Sequence, residues 1–454
     1  MPINVIAVFD IGKTNKKFLL FDADLKLIHQ DEQKFSEIMD EEGFSCDEIE
    51  KIETWMKDCV SDVIQQGSYN IAAVNFTTYG ASLMYIDAMG RALTPVYNYL
   101  KPMPAEVLEG FYELYGGLEE FSRKTASPSL GMLNSGLQAL WLKRKKPEVY
   151  RNVDTVLHFP QYLAFRFTGR KVSEFTSIGC HTAMWDFDNN CYHPWMLKEE
   201  IPVPQPVSNS ATAEIEIEKK KVKIGIGIHD SSASLVPYIM GTKEEFILIS
   251  TGTWCIFMNP FNTEPLTMEQ LRKDCLCYMS VNQQQVKSSR LFLGHIHDVN
   301  VERLNAHFGV DANLYKKVKP DAKIVSRLLA SPARVFFKNA IPADYIDTTV
   351  DPEKFSTFEE AYHQLVHDVV SLAIESLDLI IPANDKTKVV YISGGFARSE
   401  LFVRFLATSL PGKKVYTSEV DNATALGAAM VVWESAFGGK MPQMDLSLNA
   451  CLPF

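Results

Sequence analysis

A glycine-containing turn near the start of the chain has residue types that hold phosphate groups. Gly12 lets the backbone turn tightly, so that successive N–H groups converge on an anion. Thr14 and Asn15 add neutral donors. The turn leads into a hairpin and lacks the spacing of a Walker A loop. A plain hairpin turn without a ligand is the alternative interpretation. Taken by itself, the motif favours that alternative.

The same turn carries charges of both signs. Lys13, Lys16 or Lys17 can supply positive charge to a phosphate group. Asp10, at the end of the preceding apolar segment, is placed to hold a Mg²⁺ ion through water. If the turn binds phosphate, we therefore expect a metal ion beside it.

Two more turns of this kind lie in the second half of the chain. Thr251, Gly252 and Thr253 follow a β-rich segment and precede another. One such turn in each half could grip a polyphosphate from both sides of a cleft, and this pairing favours phosphate binding. Gly394 and Gly395 stand between a strand and a helix, where a flat ring can approach the backbone. Tight packing of helix on sheet is the alternative there.

The pair His229 and Asp230 is the candidate for catalysis. It follows a glycine-rich apolar segment and precedes a run of small residues suited to a helix start. Phosphoryl transfer to an alcohol needs a base beside the acceptor hydroxyl, and Asp230 is placed for that role. The alternative is a helix N-cap, which position alone favours.

Two other clusters resemble metal sites. His295, His297 and Asp298 have no supporting ligands at suitable spacing, so a hydrogen-bonded loop or core pair is favoured. Cys275 and Cys277 are separated by one residue, which is a poor zinc pattern. We expect them at alternate positions of a strand.

Short strands and amphipathic helices must position these residues. Apolar, β-branched runs predict strands at Val5–Phe9, Lys17–Phe21, Leu25–His29, Ile71–Phe76, Leu83–Ile86, Glu244–Ser250, Val389–Ile392 and Lys414–Tyr416. Helical spacing predicts helices after Asp47, at Gly136–Arg144, around Tyr162–Phe167, at Phe358–Ile380, from near Ala397, and from an Asn422 N-cap to Gly438. The strand–turn–strand pattern occurs near residue 10 and again near residue 250. This repeat predicts a duplicated α/β domain with mixed sheets and a cleft between the halves.

Composition narrows the class of protein. The 454 residues, 46% of them hydrophobic, suffice for two or three domains. A net charge of -11 argues against a nucleic-acid partner. We expect no membrane partner and no targeting segment, because no apolar run approaches the roughly 20 residues of a spanning helix. The eight scattered cysteines are typical of the reducing cytoplasm.

Seven motifs in order resemble the FGGY carbohydrate kinases of the actin and sugar-kinase superfamily. They are DIGKTN, TTYG, HFPQYLAFRFTG, GIHDSSAS, STGTW, SGGFARS and ATALGAAM. The resemblance covers roughly residues 5 to 435. It implies two α/β domains of ribonuclease H-like topology, an N-terminal one at 1–240 and a C-terminal one at 241–454. ATP, Mg²⁺ and a sugar would meet in the cleft between them.

The resemblance also implies roles for single positions. The first phosphate loop would contain Asp10 with its magnesium, Gly12, Lys13, Thr14 and Asn15. The second would contain Thr251, Gly252 and Thr253, and the adenosine site Gly394 and Gly395, with Arg398 and Asn422 nearby. Asp230 would be the general base, and Tyr79, Gly80, Gln161, His229 and Asp230 would contact the sugar.

The His229–Asp230 pair and the tryptophan of STGTW resemble the L-fuculokinase and L-rhamnulokinase branch. The implied substrate is a 6-deoxyketohexose such as L-fuculose or L-rhamnulose, phosphorylated at its primary 1-hydroxyl. Three positions depart from the pattern: Lys13 replaces a small residue or threonine, Gln161 an aspartate and Ser231 a threonine. Xylulose, ribulose or a polyol therefore remain alternative substrates.

Two other classes of protein share this superfamily fold. One is a non-catalytic sensor of ATP and sugar, which would have no need of a base at Asp230. The other is an actin-like or chaperone-like ATPase, and a chaperone would require a further domain for which the chain has little room. Dimers are common among such kinases, and the sequence does not distinguish a homodimer from a monomer.

Overall fold

The apolar run near the N-terminus becomes the central strand of a seven-stranded mixed sheet. This arrangement is seen in a computed structural model, which describes residues 2–454. Val5 to Phe9 have no exposed surface, because both faces of the strand are covered. The strands of this first sheet are β1 (Ile3–Ile11), β2 (Lys16–Asp22), β3 (Leu27–Gln33), β4 (Tyr69–Thr78), β5 (Thr212–Ile217), β6 (Lys220–Gly225) and β7 (Ile228–His229).

The second half builds a sheet of the same kind. Its strands are β8 (Phe246–Thr251), β9 (Cys255–Asn259), β10 (Cys275–Met279), β11 (Gln285–Leu291), β12 (Val389–Gly394), β13 (Lys414–Ser418) and β14 (Leu448–Cys451). In the first sheet β1 pairs antiparallel with β2 and parallel with β4. In the second β8 pairs antiparallel with β9 and parallel with β12. The predicted α/β fold with a mixed sheet in each half is confirmed.

Long helices cover both sheets. They are α1 (Ile49–Gln66), α2 (Ser135–Lys145), α3 (Phe159–Thr168), α4 (Asp230–Gly241), α5 (Leu293–Phe308), α6 (Ala322–Ala330), α7 (Phe358–Asp378), α8 (Glu400–Ser409) and α9 (Ala423–Phe437). Shorter α-helices lie at Leu118–Lys124, Pro147–Tyr150, Phe175–Ile178, Pro194–Lys198 and Met268–Arg272. In residues 2–454 no helix has the length and apolar character to span a bilayer.

Short strand pairs and 3₁₀ turns complete the architecture. The pairs are Leu83–Ile86 with Thr155–His158, Ile38–Met39 with Ser45–Cys46, Ser173–Glu174 with Pro206–Val207, and Trp185–Asp186 with Cys191–Tyr192. The 3₁₀ turns are Ala105–Val107, Tyr112–Tyr115, Gly131–Leu133, Leu314–Lys317, Pro352–Lys354 and Gly395–Arg398.

The C-terminal helix α9 packs on the first half of the molecule. It contacts β1, β4 and α4, and its alanines share a buried cluster with Ile6 and Val8 of β1. At Gly427 a side chain would collide with the backbone carbonyl of Ala233 in α4. The small residues of ATALGAAM therefore allow two helix backbones to approach closely, and they tie the end of the chain to its first sheet.

Helix α9 starts directly after Asn422, as predicted, although the predicted side-chain cap is absent. Asn422 makes no capping hydrogen bond and lies in the left-handed region, with φ of 48°. Its side chain instead accepts a hydrogen bond from Lys17 Nζ at 3.2 Å and donates one to Gln30 Oε1 at 3.2 Å. The other helix, α8, starts after Ser399 rather than near Ala397, because the serine side chain caps it. A 3₁₀ turn occupies the residues between the glycine pair and this cap.

Candidate active site

Asp230 lies where strand β7 passes into helix α4. It is the first residue of the helix, and His229 occupies the N-cap position. The carboxylate oxygen Oδ1 of Asp230 accepts a hydrogen bond from the Ser231 backbone at 2.6 Å and lies 3.2 Å from His229 Nε2. Asp230 is therefore not the N-cap that its position in the sequence favoured.

The electrostatic setting of Asp230 suits a general base. Burial raises the pKa of its carboxyl group to about 6. The pKa of Asp10 is also raised to about 6, by burial first and then by the negative charge of Asp230, while Lys17 opposes the rise. The two carboxylates are thus close enough to repel each other. A base with a pKa just below neutrality is mostly ionised at pH 7 and still accepts protons readily.

A buried hydrogen-bond network fixes the backbone before Asp230. Glu174, with no exposed surface, accepts hydrogen bonds from the backbone N–H and the hydroxyl of Thr176, each at 2.7 Å. The hydroxyl oxygen of Thr176 in turn accepts the backbone N–H of His229 at 2.9 Å. The sequence did not indicate this support, because Thr176 and His229 lie far apart along the chain.

Gln161 takes part in the same support. It has no exposed surface, and its Nε2 donates to the Gly227 carbonyl at 2.9 Å. A second hydrogen bond reaches the carbonyl of Ile226 at 3.3 Å. The side chain, predicted to contact sugar, lies outside the cavity beside the base, so its contact in this structure is with the turn that leads to Asp230.

A cavity of about 360 Å³ lies beside the base, between the two halves. The first half lines it with Tyr79, Gly80, His181, His229 and Asp230, and the second half with Ser250, Asp274, Tyr278 and Arg290 among others. A side chain at Gly80 would place its Cβ 2.6 Å from His229 Nε2, so glycine leaves room for the imidazole. Burial lowers the pKa of His229 to about 4, and the ring is neutral at pH 7.

Sequence reasoning missed the wall that the second half contributes. Arg290 is the last residue but one of strand β11, and its Nε donates to Asp274 at 2.7 Å. Its guanidinium group also lies 5.4 Å from the ring centre of Trp254, which follows the second glycine-containing turn. The only signal was an arginine at the end of a mostly neutral strand, and that signal is too common to select it.

The first glycine-containing turn connects β1 and β2. The Gly12 backbone N–H donates to the Asn15 carbonyl at 3.0 Å, which closes the turn that also holds Thr14. Lys13 Nζ forms ion pairs with Glu37 at 2.7 Å and with Asp47 at 3.0 Å. The ammonium group predicted to contact phosphate is thus held by carboxylates in this structure.

The second turn and the glycine pair form one unit. Thr251 of β8 lies beside Gly394 of β12, and its hydroxyl donates to the Ser393 carbonyl at 2.5 Å and accepts the Phe396 N–H at 3.0 Å. Gly394 has φ of 87°, and a side chain there would collide with the Thr251 carbonyl oxygen. The glycine is therefore required by this close approach.

The remaining predicted nucleotide residues surround this unit. The Gly252 backbone N–H donates to the Trp254 carbonyl at 3.1 Å, which closes the turn around Thr253. Arg398 ends the 3₁₀ turn that begins at Gly395. Asn422 comes from the other side, where it bonds Lys17 of the first sheet.

In the two clusters that resemble metal sites, His297 and both cysteines are buried, whereas Asp298 is exposed. His297 is buried in α5, with Nδ1 at 2.9 Å from Asp298 Oδ1 and Nε2 at 3.3 Å from the Tyr362 hydroxyl. Cys275 and Cys277 are buried at alternate positions of β10. The hydrogen-bonded His297 and the alternate positions of the two cysteines both agree with what the sequence predicted.

Family comparison follows this geometry. The model of the FGGY family of carbohydrate kinases, N-terminal domain, matches residues 5–225, and that of the carbohydrate kinase FGGY, C-terminal domain, matches residues 243–440. The chain belongs to the FGGY family of carbohydrate kinases. The resemblance noted in the sequence is thereby confirmed, and so is the class of enzyme.

Relatives of this FGGY kinase act on different sugars. A rhamnulokinase from Halalkalibacterium halodurans is 22% identical over 271 residues, and the match covers 56% of each chain. The match therefore spans about half the length of that relative. A crystal structure of a carbohydrate kinase from Novosphingobium aromaticivorans is similar with a TM-score of 0.80 and 23% identity, covering 100% of this chain and 95% of the other. A ligand-bound xylulose kinase from Lactobacillus acidophilus has a TM-score of 0.75 and 17% identity, with 100% and 94% covered. At these identities the two structures show the shared fold alone.

Proposed function

We propose that this kinase transfers the γ-phosphoryl group of ATP to the primary 1-hydroxyl of a ketose, and that a 6-deoxyketohexose such as L-rhamnulose or L-fuculose is the preferred substrate. One observation carries the proposal. The carboxylate of Asp230 lines a cavity between the halves and lies close enough to Asp10, at the first phosphate loop, to raise its pKa. A sugar hydroxyl in that cavity would stand between a base and the terminal phosphate.

Asp230 would accept the proton of the attacking hydroxyl. Its pKa of about 6 leaves it ionised at neutral pH, and the network of Glu174, Thr176 and Gln161 holds its backbone in place. Phosphoryl transfer demands mostly positioning and charge neutralisation from a protein. A base fixed by buried hydrogen bonds provides that positioning without reorganisation during the reaction.

The two carboxylates fit a Mg²⁺ ion that arrives with the nucleotide. Asp10 is partly buried and is repelled by Asp230, so a cation between them and the phosphates would relieve an unfavourable contact. Mg²⁺ usually keeps several waters and binds through one or two carboxylates plus substrate phosphates. Asp10 would hold it through water, and the ion would neutralise charge on the transferring group.

The nucleotide would bind along the turns of both sheets. Gly12, Lys13, Thr14 and Asn15 would face the phosphates from the first sheet, and Thr251, Gly252 and Thr253 from the second. Gly394 and Gly395 would receive the adenosine, with Arg398 and Asn422 at its edge. The contact between Thr251 and Gly394 supports this assignment, because it brings the second phosphate turn against the glycine pair.

The sugar would occupy the cavity next to the base. Tyr79, Gly80 and His229 would contact it from the first half, and we add Arg290 from the second. The similarity to a rhamnulokinase supports a deoxyketose as the substrate. Gln161 and Ser231 depart from the family pattern, so other ketoses and polyols are the alternative substrates. We assign the sugar side to residues 1–240 and the adenosine side to residues 241–454, with closure of the cleft excluding water.

The deciding experiment is ADP release from Mg·ATP against a panel of ketoses, aldoses and polyols, with a no-sugar control. We expect strong turnover with one ketose, and loss of that turnover in the Asp230→Asn variant. A flat panel with ATP still bound would favour a sensor, and steady turnover without sugar would favour an ATPase. Light scattering on the same sample would separate a monomer from the homodimer common in such kinases.

We also assign the enzyme to the cytoplasm. The eight cysteines are all free thiols, and five of them are buried. Buried thiols of this kind persist in a reducing compartment. Fractionation of the native host, with detection of the kinase in the cytoplasmic extract, would test the assignment.

A further inference from the structure

Asp47 gathers three donors around one buried carboxylate. Only 3% of the residue is exposed. Lys16 Nζ lies 2.9 Å from Oδ1, Lys13 Nζ lies 3.0 Å from Oδ2, and the Tyr79 hydroxyl donates to Oδ2 at 2.6 Å. Nothing in the sequence marked Asp47 beyond the start of α1. Three strong hydrogen bonds to one carboxylate are a costly arrangement to build unless all three partners are needed.

Two of the three donors belong to the first phosphate loop. Lys13 lies inside the loop, and Lys16 begins β2 just after it. Lys16 Nζ also donates to the backbone carbonyl of Lys13 at 2.9 Å, and Lys16 is only 1% exposed. Asp47 therefore holds both a side chain and, through Lys16, the backbone of the loop.

The third donor belongs to the sugar cavity. The Tyr79 side chain lines that cavity next to Gly80 and His229. Its backbone N–H donates to the Ile11 carbonyl at 3.1 Å, at the start of the phosphate loop. The hydroxyl end of the same tyrosine reaches Asp47. One carboxylate thus touches the phosphate loop and the cavity wall at once.

Asp47 remains charged throughout the working range of pH. Burial would raise the pKa of its carboxyl group, but the hydrogen bonds from Tyr79 and Lys16 outweigh burial and hold the pKa below its usual value. Lys13 has a second carboxylate partner, Glu37, at 2.7 Å. An incoming anion can therefore draw Lys13 away from Asp47, while Asp47 itself stays ionised over the working range of pH.

We propose that Asp47 is a positioning residue that couples nucleotide binding to sugar binding, an inference that rests on the proposed function. The phosphates of the nucleotide compete with Asp47 and Glu37 for Lys13. When Lys13 turns to the phosphates, Asp47 keeps Lys16 and Tyr79 as its partners, and its bond to the tyrosine strengthens. The tyrosine then fixes the cavity wall, so each ligand raises the affinity for the other, as linkage requires.

The same segment supplies a matched control. Asp40 pairs with Lys101 at 2.6 Å, and both side chains are at most 1% exposed. The Lys101 ammonium also lies 4.9 Å from the ring centre of Trp141. This pair resembles the Asp47 cluster in burial and charge but lines neither the cavity nor the phosphate loop. Its loss should destabilise the fold without affecting the coupling.

The test is calorimetric titration of Mg·ADP in the presence and absence of L-rhamnulose, or of the best ketose from the panel. The ratio of the two dissociation constants is the coupling factor, which for coupled sites is typically about 5 to 150. We expect such a factor in the natural enzyme, and a factor near 1 in Asp47→Asn and Tyr79→Phe. Asp40→Asn should keep the natural factor even if its melting temperature falls.

Each outcome decides the inference. A full coupling factor in Asp47→Asn, or a factor of 1 in the natural enzyme, would overturn it. If Asp47→Asn does not fold, Tyr79→Phe decides, since it removes one hydrogen bond and leaves every charge in place. Titration measures binding and needs no turnover. If the kinase panel were flat while the coupling factor was lost in Tyr79→Phe, the proposed function would be contradicted and the coupling would still be supported.

Discussion

The two turns that we propose to bind phosphate occupy equivalent places in the two sheets but are held by different forces. The first, between β1 and β2, is surrounded by ionised groups: Lys13, Lys16 and Asp47 form ion pairs around it. The second, between β8 and β9, is held by the neutral hydroxyl of Thr251 and by the missing side chain of Gly394. Duplication of the fold therefore preserved the placement of the turns, while the first turn is surrounded by charges and the second is held by close packing.

The largest expected effect is the loss of turnover when the charged base of the first half is removed. We expect Asp230→Asn to lower kcat by about 10² to 10⁴, because an amide cannot accept the hydroxyl proton. Steady-state assays with Mg·ATP and the preferred ketose measure the change. Nucleotide affinity should stay near normal in the same variant. Near-normal turnover would remove Asp230 from the role of base.

Added bulk should break the second half. In Gly394→Ala the new methyl group meets the Thr251 carbonyl and the residue keeps a positive φ, so we expect a loss of about 1–3 kcal/mol in the free energy of unfolding. The KM for ATP should rise as well, because the two turns separate. Gly395→Ala is the matched control for stability, since nothing lies within 4 Å of its added Cβ. Equal losses of stability in both variants would contradict a steric role specific to Gly394.

Acid should weaken catalysis through the first half alone. The pKa of Asp230 is raised to about 6, so kcat/KM should fall roughly tenfold per pH unit below that value. The free energy of unfolding changes with pH in the opposite direction. Because the pKa of Asp230 is raised in the folded protein, the group contributes stability that is fully present below the usual carboxyl pKa. This contribution is lost as the pH rises through about 6.

Melting curves in EDTA test that linkage directly. Asp230→Asn should melt higher than the natural protein at pH 7.5, since it removes a partly buried carboxylate whose pKa is raised, and the two should converge near pH 3.5. A variant that is less stable at both pH values would show that the Asp230 carboxylate is stabilised in the fold rather than strained.

The smallest effect should come from the contact that joins the charged loop to the end of the chain. Asn422 links Lys17 and Gln30 to the start of α9 by two hydrogen bonds of 3.2 Å. Asn422→Ala should cost about 1 kcal/mol of stability or less and raise the KM for ATP a few-fold. Thermal melts and ATP titrations would detect both. A rise of more than tenfold in the KM for ATP would indicate that Asn422 contacts the nucleotide directly.

Local patterns predicted most of the elements, and they failed where a distant partner intervened. The central strands β1, β8 and β12 were found because continuous β-branched runs are needed wherever a sheet is covered on both faces. Asn422 was assigned to a cap because only its own segment was considered, whereas Lys17, 405 residues away, takes its side chain. Gln161 was expected to contact sugar because of the family resemblance, and in the structure its amide nitrogen donates to the Gly227 carbonyl.

The sequence by itself determined the duplicated α/β fold and the family, and it singled out the residues that we propose as the base and the phosphate turns. Those features depend on residue type and short spacing, which the chain carries locally. Only the tertiary structure decided that Asp47 joins Lys13 and Tyr79, that Arg290 completes the cavity, and that α9 returns to the first sheet. Burial and charge pairing depend on which segments meet in space, and no local pattern specifies those meetings.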